Sequence, residues 1–309
     1  MLKLQVKLSN IELYTSSPYI FSGFIKPIDE ARFIVVGIPF DKTSTYRPGS
    51  RFAPSSIREA SLNIETYSLA LDIDLEDLSI YDAGDLHVVE SLSETLNRIS
   101  LVVKDIVKLG KIPILIGGEH TITYGAISAF ESDVGILCFD AHADLRDEYM
   151  GEKISHATFM RRIVERIGAN KLMLVGLRAI SKEEAKFLHE AKISYIKSED
   201  LRVLGFEKAY EIITSKIKNF NKVYLSIDMD VLDPAFDPGV GNPESNGIDS
   251  YTMLNLIIKL CNEKIVGIDL VEVSPNYDTG ITSILSARIL FEALCALEKS
   301  RSKISFKTF

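Results

Sequence analysis

The sequence predicts an α/β fold, a three-layer α-β-α sandwich around a mostly parallel eight-stranded sheet. Three observations carry this expectation. Short β-branched runs bounded by turn residues alternate with longer segments of helical periodicity. The runs are almost continuously apolar rather than alternating, so the sheet they build is covered on both faces. No Pro- or Ser-rich linker, charge block or internal repeat breaks the pattern, so residues 1–309 read as a single domain. A closed barrel of eight parallel strands shares the periodicity and stands as the alternative fold.

In order, the candidate strands are 33–38, 78–81, 112–116, 134–139, 172–177, 193–196, 223–227 and 265–271. Helical periodicity fills 92–109, 154–167, 182–191, 207–217 and 251–261 between them. Two irregular loops stand out. The first, 39–54, contains Thr43-Ser44-Thr45-Tyr46-Arg47-Pro48-Gly49; the second, 232–247, carries Pro234, Pro238, Gly239, Gly241, Pro243 and Gly247. Rigid loops of this kind at strand ends commonly wall a pocket.

With 46% hydrophobic and 25% charged residues, the composition is that of a soluble globular protein. A formal charge of −8, from 43 acids and 35 bases without a basic cluster, gives no electrostatic footprint for nucleic acid. Cys138, Cys261 and Cys295 are odd in number, widely spaced and set in apolar stretches, as expected of reduced core thiols in a cytosolic protein. The opening Met1-Leu2-Lys3-Leu4-Gln5-Val6-Lys7 alternates charge with apolar residues, and no stretch approaches the ~20 apolar residues of a membrane span. A cytoplasmic protein without membrane contact is expected.

The chemistry concentrates where three apolar runs give out. After 134–139 comes Asp140-Ala141-His142-Ala143-Asp144; after 223–227 comes Asp228-Met229-Asp230; after 112–116 comes Gly117-Gly118-Glu119-His120. Aspartates flanked by buried strands cannot remain ionised without partners, and two divalent cations neutralise four carboxylates. His120, Asp140, His142, Asp144, Asp228 and Asp230 therefore read as a two-metal site. Carboxylate with imidazole suits manganese, zinc or iron better than calcium, and manganese is the first choice. The glycine pair is expected to let the backbone approach an ion closely. His87 and His189 have no evident partners.

These motifs, with Gly37-Ile38-Pro39-Phe40-Asp41, Arg47-Pro48-Gly49-Ser50-Arg51, Asp82-Ala83-Gly84-Asp85 and Asp269-Leu270-Val271-Glu272-Val273-Ser274-Pro275, resemble the ureohydrolase family of arginases and agmatinases over nearly the whole chain. The resemblance implies two manganese ions per subunit. One would sit on His120, Asp140, Asp144 and Asp228, the other on Asp140, His142, Asp228 and Asp230, with Asp140 and Asp228 bridging. It also implies that the ions acidify a shared water which Asp144 orients, and that His156, in Ser155-His156-Ala157, carries a proton to the leaving amine. Glu272 matches the carboxylate that pairs with the substrate guanidinium, and its place within an apolar run independently demands a cation or hydrogen-bond donors.

The segment Leu145-Arg146-Asp147-Glu148-Tyr149-Met150-Gly151 resembles agmatinases most closely, which implies hydrolysis of agmatine to putrescine and urea in polyamine biosynthesis. Glu148, Tyr149, Tyr277 and Asp278 are candidate rim contacts, and Arg146 is open to a structural salt bridge instead. Glu119, Ala157, Asn242 and Asn246 depart from the family pattern, the last two in the loop expected to touch the guanidinium end of the substrate. Other readings remain: another guanidino substrate (aminopropylagmatine, guanidinobutyrate, formiminoglutamate or arginine), a single-zinc deacetylase, or a silent metal-retaining subunit. Family likeness implies a homo-oligomer, a trimer or hexamer.

Overall fold

In the computed structural model, residues 9–16, 20–130 and 133–301 are described; the opening stretch Met1 to Lys7 lies outside them. The strands are β1 (Thr15–Ser16), β2 (Phe33–Gly37), β3 (Tyr67–Ser68), β4 (Ile73–Asp74), β5 (Ile80–Leu86), β6 (Ile112–Ile116), β7 (Val134–Phe139), β8 (Leu172–Leu177), β9 (Ser194–Lys197), β10 (Lys222–Asp228) and β11 (Ile265–Val271). The α-helices are α1 (Asn10–Tyr14), α2 (Ala53–Ser61), α3 (Leu92–Lys108), α4 (Ile122–Ile127), α5 (Phe159–Ile167), α6 (Lys182–Glu190), α7 (Ser198–Ile217), α8 (Ser250–Leu260) and α9 (Ile281–Arg301).

The main sheet runs in the order β1-β5-β2-β6-β11-β10-β7-β8-β9, with β3 and β4 forming a separate ribbon. Every neighbour in it is parallel except β1 against β5. The sheet is open, with edges at β1 and β9, so the barrel is excluded. Among the described residues its nine strands exceed the eight expected because β1 is two polar residues long and carries no apolar run to betray it. Strand β5 extends past the predicted 78–81 into Asp82 and Asp85, acids that a periodicity reading takes for a turn. Buried Arg58 makes this possible, with Nε 2.8 Å from Asp82 Oδ2 and Nη1 2.5 Å from Asp85 Oδ1.

Within the apolar strands, side chains divide between two cores. Val35, Ile114, Ile116, Leu137 and Phe139 point to the side covered by α2, α7, α8 and α9. Ile34, Val36, Leu115, Ile136 and Cys138 point to the side of α1, α3, α4 and α5. Polar side chains start several helices: Ser91 caps α3, Ser181 and Glu184 form a capping box on α6, and Asp249 caps α8. Helices α1, α2, α4 and α9 lie outside the segments named from the sequence, and two of the named ones differ in extent. The 154–167 segment is helical only from Phe159, because Ser155 N–H donates to Thr158 Oγ1 and holds 155–158 as a turn. Helix α7 starts earlier than 207 and kinks at Gly205, whose φ of 74° suits glycine. Among the described residues, no helix is long and apolar enough to cross a membrane.

Candidate metal centre

The central quartet of neighbouring strands, β6, β11, β10 and β7, runs parallel, so their carboxyl ends open on one side. His120 follows β6, Glu272 follows β11, Asp228 ends β10 with Asp230 just beyond, and Asp140 to Asp144 follow β7. Residues far apart in sequence thus meet at the place where open parallel sheets bind ligands.

Backbone donors hold the acids in place. Asp230 N–H donates to Asp228 Oδ1 at 2.8 Å, His142 N–H to Asp140 Oδ1 at 2.6 Å, and Ala141 N–H to Asp230 Oδ1 at 3.0 Å. His120 Nδ1 then lies 3.1 Å from Asp140 Oδ2, 3.4 Å from Asp144 Oδ2 and 3.0 Å from Asp228 Oδ2. His142 Nδ1 lies 2.8 Å from Asp230 Oδ2 and 3.6 Å from Asp140 Oδ1. Asp140 therefore faces both imidazoles, as a bridging carboxylate would.

The decisive atom for a cation is His120 Nδ1. It is buried and crowded by three carboxylate oxygens, yet it makes no hydrogen bond. The other nitrogen explains why. Ser226 Oγ donates to Asp269 Oδ1 at 2.6 Å, so it accepts from His120 Nε2, 2.9 Å away. Thr123 Oγ1 holds the second Asp269 oxygen at 2.8 Å. With its hydrogen fixed on Nε2, a neutral His120 turns a lone pair toward the carboxylates, an arrangement that fits a cation between them.

Titration tendencies agree that these groups need positive charge. Burial, then the charge of Asp140, pushes Asp144 up to about 7. Burial, then Asp230 and Asp140, raises Asp228 well above the carboxylate range. Burial opposes charge on both His120 and His142, but the aspartates outweigh it and raise both. Cys138 Sγ lies 3.9 Å from His120 Nε2, and burial lifts its thiol to about 12, so it stays protonated and is a core residue.

The chain belongs to the arginase family. Its family profile, described as Arginase family, matches residues 31–296. An uncharacterized 32.2 kDa protein of Methanothermus fervidus is 44% identical over 86% of this chain and 92% of its own length. A Bacillus anthracis agmatinase is 37% identical over 89% of this chain and 96% of its own. Among solved structures, the agmatine ureohydrolase of Thermoplasma volcanium superposes with a TM-score of 0.86 at 40% identity, covering 92% of this chain and 95% of that one. This arginase-family chain is an enzyme of the ureohydrolase type, which sets the deacetylase and silent-subunit readings aside.

Above the arginase-family floor opens a cavity of about 510 Å³, lined in part by His142, Asp144, Asp228, Asp230, His156, Glu272 and Asn242. His120 and Asp140 lie buried beneath it. Glu272 Oε1 accepts the His120 N–H at 2.7 Å, and burial pushes its pKa to about 8. A Cβ on Gly241 would stand 3.4 Å from Glu272 Oε2, which places the second loop beside that oxygen. His156 Nδ1 is 3.2 Å from Thr43 Oγ1, and burial, then the charge of His142, lowers its pKa to about 4.

Several expected contacts fall elsewhere. Asn246, at φ 67°, keeps the turn but accepts from Arg202 Nη1 at 2.6 Å and is not among the cavity's lining residues. Tyr277 donates to the Pro48 carbonyl at 3.1 Å, and Asp278 caps the start of α9 through the Gly280 and Thr282 N–H groups. Of the rim candidates, Tyr149 lines the cavity. Gly117 and Gly118 also meet a packing demand: a Cβ on the first would stand 2.6 Å from Leu270 O, and on the second 2.0 Å from Phe40 O. The sequence motifs include Thr43 and Asp269 but assign no role to them, nor to Arg178 and Ser226. Asp269 had a signal, an acid inside an apolar run; Ser226 and Thr43 are too ordinary to stand out.

Proposed function

We propose that the protein hydrolyses the guanidino group of agmatine, giving putrescine and urea. His120, Asp140, Asp144 and Asp228 would hold one divalent ion, and Asp140, His142, Asp228 and Asp230 the other; manganese suits this oxygen-rich, thiolate-free set. The observation that supports it best is the convergence of these six side chains under one cavity that also presents Glu272. When bound, the ions would lower the pKa of a water and supply Lewis acidity.

The protein's own groups do the rest. Glu272 Oε2, with Oε1 already taken by His120 N–H, pairs with the guanidinium and places its carbon over the floor. Asp144 accepts a hydrogen bond from the attacking water and orients it. As the bond between carbon and the alkyl nitrogen breaks, His156 Nε2 delivers a proton to the departing amine. The described residues act as one domain in a cytoplasmic homo-oligomer, a trimer or hexamer, with a role in polyamine synthesis.

A second reading has one observation in its favour. Arg146 lines the cavity, stacks 5.1 Å from the Tyr149 ring and reaches Glu184 only at 3.7 Å. This is the structural salt bridge open to Arg146, but Glu184 Oε2 also accepts from the Ser181 N–H and hydroxyl, and an Arg146 that shares it would still suit a carboxylate such as that of guanidinobutyrate. Urea release by the manganese-loaded protein is measured over agmatine, aminopropylagmatine, guanidinobutyrate, formiminoglutamate and arginine. Agmatine is expected to give the highest kcat/KM, and His156→Ala to lower the rate by about 10²- to 10⁴-fold. Guanidinobutyrate in first place moves the assignment to the second reading, and silence on the whole panel refutes both.

A further inference from the structure

Thr43, in the loop after β2, stands between a buried carboxylate and the His156 imidazole. Glu119 Oε1 accepts from Thr43 Oγ1 at 2.7 Å and from Thr121 Oγ1 at 2.7 Å. Glu119 Oε2 accepts the Thr43 N–H at 2.6 Å and the Ser44 N–H at 3.1 Å. On its other side, Thr43 Oγ1 lies 2.9 Å from the His156 main-chain nitrogen and 3.2 Å from Nδ1.

A hydroxyl has one hydrogen and two lone pairs. The Thr43 hydrogen goes to Glu119, its nearest acceptor and a charge-assisted one. Thr121 gives its own hydrogen to the same oxygen, so its 3.3 Å approach to Thr43 adds no competing donor. Both lone pairs of Thr43 are left for His156. One takes the main-chain N–H; the other faces Nδ1, which must then carry hydrogen. The free lone pair of the imidazole falls on Nε2.

We infer that Thr43 is a positioning residue that fixes His156 as the Nδ1–H tautomer and passes the influence of Glu119 to it through a hydroxyl. The arrangement serves both halves of a proton transfer. Nε2 gains a proton from solvent in the cavity and surrenders it to the departing amine, while the hydrogens on Nδ1 and Thr43 stay where they are. The same contact would stabilise the transient imidazolium, because Thr43 accepts from Nδ1–H in either state. This rests on the role given above to His156.

Thr43→Val and Thr43→Ser are made in the full-length chain, each also with His156→Ala, and assayed with manganese and agmatine. Thr43→Val is expected to lower kcat by about 10- to 100-fold with KM unchanged. Thr43→Ser should recover most of that loss, and Thr43→Val should add nothing once His156 is gone. A parental kcat in Thr43→Val, or an equal further loss on the His156→Ala background, overturns the inference. Nitrogen-15 spectra of the metal-free parent at mildly alkaline pH, with His156→Ala identifying the resonances, read the tautomer without any assay. Hydrogen on Nδ1 is expected and a bare Nδ1 refutes it. A parent that releases no urea would sink the assigned reaction while the spectrum still decides the tautomer.

Discussion

At the scale of single residues, Ser226 matters as much as the groups that would touch a cation. By giving its hydrogen to Asp269 it obliges His120 to keep a hydrogen on Nε2, so that the neutral ring presents its lone pair at Nδ1. Ser226→Ala removes that constraint and leaves a buried Asp269 oxygen without its 2.6 Å donor. The variant is expected to bind manganese about 10- to 100-fold more weakly, measured by competition with a chelator. Affinity equal to the parent would show that His120 orients itself. The acids and imidazoles of the floor were legible in the sequence because charge at the end of a buried strand has few explanations besides a cation. Ser226 was not legible, since a serine in a strand has many uses and the partner that gives it meaning lies on β11.

At the scale of elements, the strands could be read directly, because continuous apolar runs mark buried parallel strands. Among what escaped, the antiparallel edge strand β1 and the acid-bearing end of β5 were set by tertiary contacts, and the turn at 155–158 by a local side-chain hydrogen bond. The 232–247 loop was recognisable from its prolines and glycines, yet what fixes it was not. Arg178, just after β8, donates to the carbonyls of Gly176, Asp230, Val231, Leu232, Glu244 and Ser245. One guanidinium thereby ties the Asp230 turn to the far end of the loop that carries Asn242. Arg178→Ala is expected to expose the loop to limited proteolysis under conditions that spare the parent, and to lower kcat/KM by weakening the position of Asp230. Equal proteolysis and unchanged kinetics would assign the loop's order to its prolines alone.

At the scale of the whole molecule, sequence order and spatial order diverge in a way that only the fold reveals. Four neighbouring parallel strands, drawn from the early, middle and late chain, carry their charged ends to one side of a sheet buried between two apolar cores. The family and its layered architecture were readable from motifs and periodicity, but the contact of Asp140 with His120 depends on the strand order that sets β6, β11, β10 and β7 side by side. A ligand that binds only the folded form stabilises it, so saturating manganese should raise the melting temperature and a chelator lower it, read by calorimetry. An unchanged melting temperature would mean that the folded chain binds no ion tightly. The most direct measurement is metal content per chain, by mass spectrometry with anomalous diffraction to locate the ions. Two ions on the six converging side chains, both lost in Asp140→Ala, are the expected result; an active enzyme with one ion or none there would contradict the account.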